Sequence, residues 1–239
     1  MRPLAGLVAI VAVLTAVAAT SPASTMPAAC GAAQHYMPVE PDALTPPPLA
    51  IGDSVMLGAV EPLRRRGFEI DARECRQMSE GLRVLAARAR AGTLPSAVVV
   101  GLGTNWTVTL PQIRQALRIV GRERVLALVT PRELGGAAST DQDAIRAAGR
   151  RWPDRVKVVD WVAHSAGHRD WFWSDGLHLR ARGARAFARV ISRTLGANPA
   201  LPADPPPPAA PGGGTPASLA SRGQRTRTAG PATEPAFTR

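Results

Sequence analysis

The chain has 239 residues, 45% of them hydrophobic, which suits one folded domain of roughly 150 residues with extensions at its ends. Its formal net charge of +11 comes almost entirely from arginine, because Lys157 is the only lysine. The basic residues are scattered and no basic run is interleaved with aromatic residues, so the composition argues against nucleic-acid binding. It fits a secreted protein that meets an anionic cell envelope.

The first 25 residues are typical of an export signal peptide. Arg2 precedes an uncharged apolar run from Leu4 to Ala19, and small residues follow it. Cleavage is expected between Ala18 and Ala28. An uncleaved membrane anchor is the alternative, but the apolar run is shorter than the roughly 20 residues that a membrane-spanning helix needs. We therefore predict a protein that is secreted or associated with the cell envelope.

The middle of the chain alternates apolar runs with helical patterns, after a proline-rich lead-in at residues 26–47. Such alternation predicts a buried parallel sheet that is covered by helices on both faces. The predicted strands are residues 48–52, 68–72, 97–100, 124–129 and 156–159. The predicted helices are residues 54–66, 79–90, 111–120, 139–149 and 181–195. The domain is expected at residues 48–196, and the Pro/Gly-rich residues 197–239 are expected to be disordered.

A first motif, Gly52-Asp53-Ser54, joins the first predicted strand to the first predicted helix. Ligands bind at the C-terminal ends of strands in open α/β sheets, and a helix N-terminus offers free N–H groups to negative charge. Ser54 would there be placed to attack a carbonyl group and to stabilise the resulting oxyanion. Asp and Ser are also the commonest helix caps, and taken alone the motif more simply indicates a cap.

Two later motifs follow strand-like runs in the same way. Gly101-Leu102-Gly103-Thr104-Asn105 ends in a primary amide that can donate to an oxyanion, although Asn is also a common turn residue. Asp175-Gly176-Leu177-His178 can place a carboxylate beside one imidazole nitrogen and leave the other nitrogen to accept the serine proton. Alone, this last motif would be an ordinary capped turn with a surface histidine.

Taken together, the three motifs resemble those of the SGNH (GDSL-like) hydrolase family, which occur in the order GDS, GxN and DxxH. The resemblance is nearer to the SGNH domain of cell-envelope (peptidoglycan) O-acetyltransferases and their stand-alone relatives. It covers residues 48–196 and rests on the segments LAIGDSVMLGA, DAR…RQ…G, VVVGLGTN, VVDW and DGLHL.

This resemblance implies a flavodoxin-like, three-layer α/β/α sandwich with a five-stranded parallel sheet in the strand order 2-1-3-4-5. It also implies a catalytic triad of Ser54, Asp175 and His178. The oxyanion hole would consist of Asn105, the backbone N–H of Ser54 and a third N–H from the loop after strand two. Asp53 would be structural and would hydrogen-bond the turn.

The loop after strand two departs from the family pattern, which has a glycine there. The chain has Arg73 to Met78 instead, and its next glycine is Gly81. A backbone donor needs no particular side chain, so either Cys75 or Gly81 could supply the third N–H group, and we favour Cys75. The two cysteines of an exported chain also predict a disulfide between Cys30 and Cys75. Lipidation of Cys30 is the alternative, although the residues before it match a lipobox poorly.

Tryptophans lie close to the motifs. Trp106 follows Asn105, and Trp173 precedes Asp175, so both are candidate sugar-binding faces, as are Trp161 and Trp171 in the same loop. Large aromatic side chains are just as often part of the buried core.

A metal site is a weaker alternative in this loop. His164 and His168 are four residues apart with Asp170 and Asp175 nearby, but the segment lacks a helical pattern that would make them face one site. No metal and no cofactor is predicted.

The sequence therefore predicts a secreted serine esterase that forms an acyl-enzyme, with an O-acetyl group on an envelope glycan as the expected substrate. A small ester is a further expected substrate, and a monomer is expected. An O-acetyltransferase that uses the same acyl-enzyme remains open, because the two differ only in the second acceptor. Alternatives from other classes are a non-catalytic envelope-binding module and a metal-dependent hydrolase.

Overall fold

A computed structural model describes residues 30–42, 44–134 and 139–196. The predicted signal peptide and the predicted C-terminal tail lie outside these residues. The strands are β1 (Gln34–Tyr36), β2 (Leu49–Gly52), β3 (Glu69–Ala72), β4 (Ala97–Gly101), β5 (Val125–Val129) and β6 (Val156–Val159). The helices are α1 (Ser54–Leu57), α2 (Val60–Arg64), α3 (Met78–Arg90), α4 (Leu110–Val120), α5 (Thr140–Arg151), α6 (Trp161–His164) and α7 (Ala181–Thr194), with a 3₁₀ turn at Arg169–Trp171.

The strands form one sheet in the order β1-β3-β2-β4-β5-β6. The five strands from β2 to β6 are parallel and lie in the predicted order. At the C-terminal edge of the sheet Gly52 pairs with Ala72 on one side and Gly101 on the other. Because the three motif-bearing loops leave the strands at this edge, the topology brings them to one rim of the sheet.

The prediction of a purely parallel, five-stranded sheet is wrong at one edge. β1 pairs antiparallel with β3, so part of the lead-in predicted to be irregular is a strand. Only three residues take part, and they carry no apolar alternation, so the sequence pattern could not indicate a strand. Side chains support the pairing, because His35 of β1 contacts Glu69 of β3 at 2.6 Å and the Cys30–Cys75 disulfide ties down the segment before β1.

The first predicted helix, residues 54–66, is broken into two short helices. α1 ends at Gly58, and α2 begins at Val60. Pro62 is the third residue of α2, where its missing N–H group has no intrahelical acceptor to lose. The loop predicted between Trp161 and Leu179 likewise contains α6 and the 3₁₀ turn.

Helices cover both faces of the sheet. One apolar cluster joins α1, α2 and α7 to the sheet, with Met56, Leu63 and Phe187 among its buried residues. A second cluster on the other face joins α3, α4 and α5, with Leu85 and Ile113 among its buried residues. The α/β/α layering is therefore as predicted. Among the described residues, no helix has both the length and the apolar character needed to cross a membrane.

Candidate active site

Ser54 is the first residue of α1, directly after the C-terminal end of β2. Asp53 caps this helix, because its carboxylate accepts the Val55 N–H at 3.0 Å. Gly52 is required by packing, since a Cβ at this position would collide with the Met56 side chain. The turn is thus both a helix cap and the support of a half-buried serine, and the two interpretations of the motif do not exclude each other.

The three residues of the predicted triad lie within hydrogen-bonding distance of one another. His178 Nε2 is 2.9 Å from Ser54 Oγ, and His178 Nδ1 is 2.8 Å from Asp175 Oδ2. The Asp175–His178 contact would fix the tautomer in which Nδ1 carries a proton and Nε2 is free to accept one. This arrangement can draw a proton from the serine hydroxyl.

A tight turn holds the Asp175 carboxylate in place. Its second oxygen, Oδ1, accepts the N–H groups of Leu177 at 2.9 Å and His178 at 3.0 Å. Partial burial alone would raise the pKa of Asp175, but the hydrogen bonds from the His178 ring and from the two N–H groups outweigh burial and lower the pKa. Asp175 is therefore expected to be ionised at neutral pH, beside the imidazole.

The loop that carries Asp175 and His178 is fixed at its two ends. The Trp173 N–H donates to the His178 carbonyl at 2.9 Å, and Phe172 pairs with Leu179. Arg132 supports the middle, because its Nε donates to the Gly176 carbonyl at 3.0 Å. These contacts hold the imidazole over Ser54 without a regular element beneath it.

The Asn105 side chain is hydrogen-bonded to Asp53, the residue before the serine. Its amide nitrogen donates to Asp53 Oδ2 at 3.3 Å. An amide carries two N–H groups, so one can be held by Asp53 while the other is available to an oxyanion. Asp53 is therefore more than a turn residue, since it contacts both the Ser54 helix and the Asn105 side chain.

The carboxyl group of Asp53 is almost fully buried, and its burial raises its pKa from 3.8 to about 6. Hydrogen bonds from the Val55 N–H and the Thr104 side chain, and the nearby His178, act in the opposite direction and limit the increase. Burial therefore brings the pKa of Asp53 closer to neutral pH than that of an ordinary aspartate.

The Asn105 loop contains Gly103, which another residue could replace only with backbone strain and a steric clash. Gly103 has a φ angle of +128°, and a Cβ there would lie 2.7 Å from Pro131 Cγ and 3.2 Å from Asp141 Oδ2. The loop ends at α4 in a capping box between Thr109 and Gln112. Backbone conformation and close packing together therefore place Asn105 at the rim.

The loop after β3 leads to the two candidates for the third oxyanion donor, Cys75 and Gly81. Cys75 has a positive φ angle of 56° and forms the predicted disulfide with Cys30, so that prediction is confirmed. The N–H of Gly81 donates to the Gln77 carbonyl inside α3, which leaves it no role in an oxyanion hole. Within the described part of the chain no acceptor is found for the Cys75 N–H, which remains the candidate donor.

Arg76 is a supporting residue that sequence reasoning missed. Its guanidinium is 1% exposed and contacts Asp71 Oδ1 at 2.7 Å and Glu80 Oε1 at 3.2 Å. Arg73 adds a further contact to Glu80 at 2.7 Å. This network ties the Cys75 loop to both β3 and α3. Arg76 belongs to the DAR…RQ…G segment of the resemblance, but the charges alternate along this run, which is usually a solvent-exposed surface.

The tryptophans divide into two groups. Trp161 is buried and stacks on Trp171 at 5.8 Å, so both belong to the packing of α6 and α7. Trp106 and Trp173 are 68% and 56% exposed and flank the site residues in sequence. The second pair therefore stays the candidate for sugar contact.

The two histidines of the weaker metal alternative both lie against Trp171. The His168 ring stacks on it at 3.8 Å, and the His164 ring lies at 5.8 Å. The described residues contain no group of three or more His, Cys, Asp or Glu side chains arranged to hold a metal ion.

Comparison with known proteins gives relatives by sequence and by structure. The chain is 32% identical over 156 residues to the O-acetyltransferase OatA of Staphylococcus aureus, a match that covers 62% of this chain and 25% of that protein. It is 29% identical over 150 residues to the peptidoglycan O-acetyltransferase OatA of Listeria monocytogenes, covering 62% of this chain and 24% of the relative. The chain thus spans about a quarter of the length of these relatives. No protein-family model matches it.

Among solved structures, the C-terminal catalytic domain of the Streptococcus pneumoniae peptidoglycan O-acetyltransferase OatA, with a methylsulfonyl adduct, matches with a TM-score of 0.56. The identity is 21%, and the match covers 64% of this chain and 93% of that domain. A lipolytic protein of the G-D-S-L family from Veillonella parvula matches with a TM-score of 0.50 at 14% identity, over 63% of this chain and 98% of that one. At these identities the structural matches show the fold.

Proposed function

We propose that this chain, which has the SGNH hydrolase fold and O-acetyltransferases among its relatives, is a serine-dependent enzyme that cleaves acyl esters. Ser54 is its proposed nucleophile, His178 its general base and acid, and Asp175 the residue that orients His178. The observation that carries the proposal is the continuous chain of contacts from Asp175 through His178 to Ser54, at 2.8 Å and 2.9 Å.

The reaction would proceed in two acyl transfers through a covalent intermediate. His178 Nε2 removes the proton of Ser54 as the hydroxyl oxygen attacks the ester carbonyl. The imidazolium then returns that proton to the leaving alcohol, and the acyl group stays on Ser54. In the second half, His178 activates a water molecule or a sugar hydroxyl, which takes the acyl group and restores the free serine. Asp175 stabilises the imidazolium in both halves because it stays ionised.

The oxyanion of each tetrahedral intermediate would be held by three donors. They are the Ser54 N–H, the Asn105 side-chain amide and the Cys75 N–H. The first N–H of a helix has no intrahelical acceptor, so the Ser54 N–H is available. α1 has only four residues, so this support comes from the N–H groups themselves rather than from a long helix dipole.

The substrate class follows from the relatives. Two of the matched proteins are described as O-acetyltransferases that act on peptidoglycan, and this chain would act on an acetyl ester of a cell-envelope glycan in the same way. Export through residues 1–25 is part of this proposal, because the substrate lies outside the cell. Hydrolysis is the first candidate outcome, since Ser54 and His178 are both partly exposed to solvent.

Transfer to a sugar is the second candidate function, and the relatives' names favour it. The decisive experiment measures turnover of p-nitrophenyl acetate and of longer acyl esters, with and without an oligosaccharide acceptor. Acetate release without acceptor supports the esterase, and acceptor-dependent formation of an acetylated oligosaccharide supports the transferase. If no ester is cleaved by the wild-type chain, or if the Ser54→Ala variant cleaves esters equally well, the proposed function is wrong and the non-catalytic binding module becomes the better account.

A further inference from the structure

An open groove of about 500 Å³ lies directly beside the loop that carries Asp175 and His178. Trp173, Ser174 and Gly176 of that loop form one wall of the groove. Arg169 and Arg180 line it from the 3₁₀ turn and from the start of α7. The groove therefore extends from the proposed catalytic loop and does not coincide with the Ser54–His178 contact.

The charge of the groove is positive. Arg132, Arg169 and Arg180 line it, and Asp170 is its only carboxylate among the described lining residues. Asp170 is already paired, because Arg182 Nη1 lies 3.1 Å from its Oδ2. The groove thus presents a surplus of guanidinium groups to solvent.

The three arginines have different roles. Arg132 is committed to the fold, since it donates to the Gly176 carbonyl and to Ser165 Oγ, each at 3.0 Å, and its guanidinium lies 4.2 Å from the Phe172 ring centre. Arg169 and Arg180 are exposed, and neither has a carboxylate partner within the described residues. They are the two groups that remain free to bind a ligand.

Trp173 of the catalytic loop adds an aromatic surface to the groove beside these arginines. The Arg180 guanidinium lies 4.9 Å from the Trp173 ring centre, so the ring holds this arginine at the groove, while the tryptophan stays 56% exposed. A half-exposed indole beside exposed guanidinium groups is suited to a saccharide that carries an anionic group, because the ring packs against the sugar and the guanidinium binds the anionic group.

We propose that the groove formed by Arg169, Arg180 and Trp173 is a subsite for an anionic substituent, a carboxylate or a phosphate, on the glycan that presents the ester to Ser54. The inference rests on the proposed function for the identity of the reacting ester, but the binding of the anionic group does not require catalysis. The subsite would favour acidic sugars over neutral ones and would orient the ester-bearing sugar along the groove wall that belongs to the same loop as His178.

The test is equilibrium binding by titration calorimetry to the full chain carrying Ser54→Ala, which removes turnover. The ligands are an N-acetylglucosamine oligosaccharide with a carboxyalkyl ether and the same oligosaccharide with the ether as its carboxamide. The pair differs in charge but hardly in shape. We expect the acid to bind about three- to tenfold more tightly than the amide at low salt, because exposed ion pairs each contribute modestly, and we expect the difference to shrink as salt is added.

Substitutions test whether the tighter binding of the acid than of the amide arises in the groove. The double variant Arg169→Gln, Arg180→Gln should bring the acid-to-amide affinity ratio close to one. Arg114→Gln removes the same type of charge from the exposed side of α4, on the opposite face of the sheet, and should keep the wild-type ratio. Trp173→Ala should weaken the amide, since packing against a sugar ring does not depend on the charge of the ligand, and should weaken the acid further, because the ring also holds Arg180 at the groove.

The outcomes separate this proposal from the proposed function. An acid-to-amide ratio near one for the parent protein, or a ratio that the double variant leaves unchanged, overturns the subsite even if esters are cleaved. Tighter binding of the acid that is lost in the double variant supports it even if no ester is cleaved. The same oligosaccharide with a phosphate monoester identifies the source of the anionic group: preference for the phosphate form, lost in the same variant, assigns the subsite to phosphate-bearing glycans.

Discussion

At the scale of single residues, the Asp53 carboxyl affects both the stability of the fold, through its charge, and the geometry of the candidate site, through its hydrogen bonds. Its sequence position, between a turn glycine and the serine, indicated only a cap. The structure adds that the same carboxylate accepts the Val55 N–H and the Asn105 amide, at 3.0 Å and 3.3 Å. The second contact could not be predicted, because it joins two loops that are 52 residues apart in sequence.

Burial of Asp53 predicts a particular dependence of stability on pH. Its pKa is about 6 in the folded chain, against 3.8 for the free group, so the folded state binds more protons than the unfolded state between these values. The contribution of Asp53 to stability is therefore fully present below about pH 4 and is lost as the pH rises to about 6, by about 3 kcal/mol. The measurement is the free energy of unfolding in urea at several pH values.

The Asp53→Asn variant is the control for this prediction. It cannot ionise, so the difference between its free energy of unfolding and that of the wild type should change by a few kcal/mol across this pH range. A constant offset between the two is also expected, because an amide cannot accept both N–H groups. Asp160 and Asp175, whose pKa values are lowered, act with the opposite sign but equally in both proteins. Parallel curves would show that Asp53 does not titrate in this way.

The Asn105 amide carries the second prediction at this scale. Asn105→Ala removes one proposed oxyanion donor, so kcat for p-nitrophenyl acetate should fall by about 10²–10³-fold, with a small change in KM. Thr107→Ala, at an exposed position of the same loop, is the matched control and should keep wild-type kinetics. A kcat for Asn105→Ala within a few-fold of the wild type would remove Asn105 from the oxyanion hole.

At the scale of elements, the loop after β3 lacks the glycine that the SGNH motif pattern has. Cys75 adopts a left-handed backbone conformation that a glycine would adopt at no cost, and the disulfide to Cys30 holds it there. The same bond fixes the segment that contains β1. The disulfide thus stabilises both the edge strand β1 and the backbone position of Cys75, the candidate oxyanion donor.

Removal of this disulfide should therefore affect both stability and catalysis. The Cys30→Ala, Cys75→Ala double variant opens a loop with a sequence separation of 45, and we expect a loss of about 2–4 kcal/mol in the free energy of unfolding. We also expect a lower kcat, because the Cys75 N–H is no longer held at the rim. Thermal unfolding and p-nitrophenyl acetate kinetics measure the two effects. A large loss of stability with unchanged kcat would leave the disulfide as a purely structural bond and would remove the Cys75 N–H from the proposed hole.

Elements with a clear hydrophobic pattern could be predicted from the sequence, and elements without one could not. β6 was predicted with the observed bounds, since three β-branched valines stand around Lys157 in a short run, VKVV. β1 was missed because three residues carry no periodicity. The break between α1 and α2 was missed because Met56, Leu57 and Val60 keep a helical spacing across it, and only tertiary packing decides that the chain turns at Gly58.

At the scale of the whole molecule, the parallel sheet explains why three weak motifs form one site. Strands β2 and β4 are neighbours, so the Ser54 and Asn105 loops leave the same edge side by side. The Asp175–His178 loop reaches that edge from β6 and is held there by α7 and Arg132. The layering and the order of the parallel strands could be predicted from alternation and resemblance. The supporting contacts of Arg76 and Arg132 could not, because they bring together residues without a shared pattern.

The central claim is that Ser54 is an activated nucleophile, and labelling with a fluorophosphonate probe tests it most directly. The probe should modify the wild-type chain at Ser54, as located by peptide mass spectrometry, and labelling should be absent in Ser54→Ala and strongly slowed in His178→Ala. Wild-type chain that stays unlabelled, or is labelled equally in the folded Ser54→Ala variant, would contradict the account.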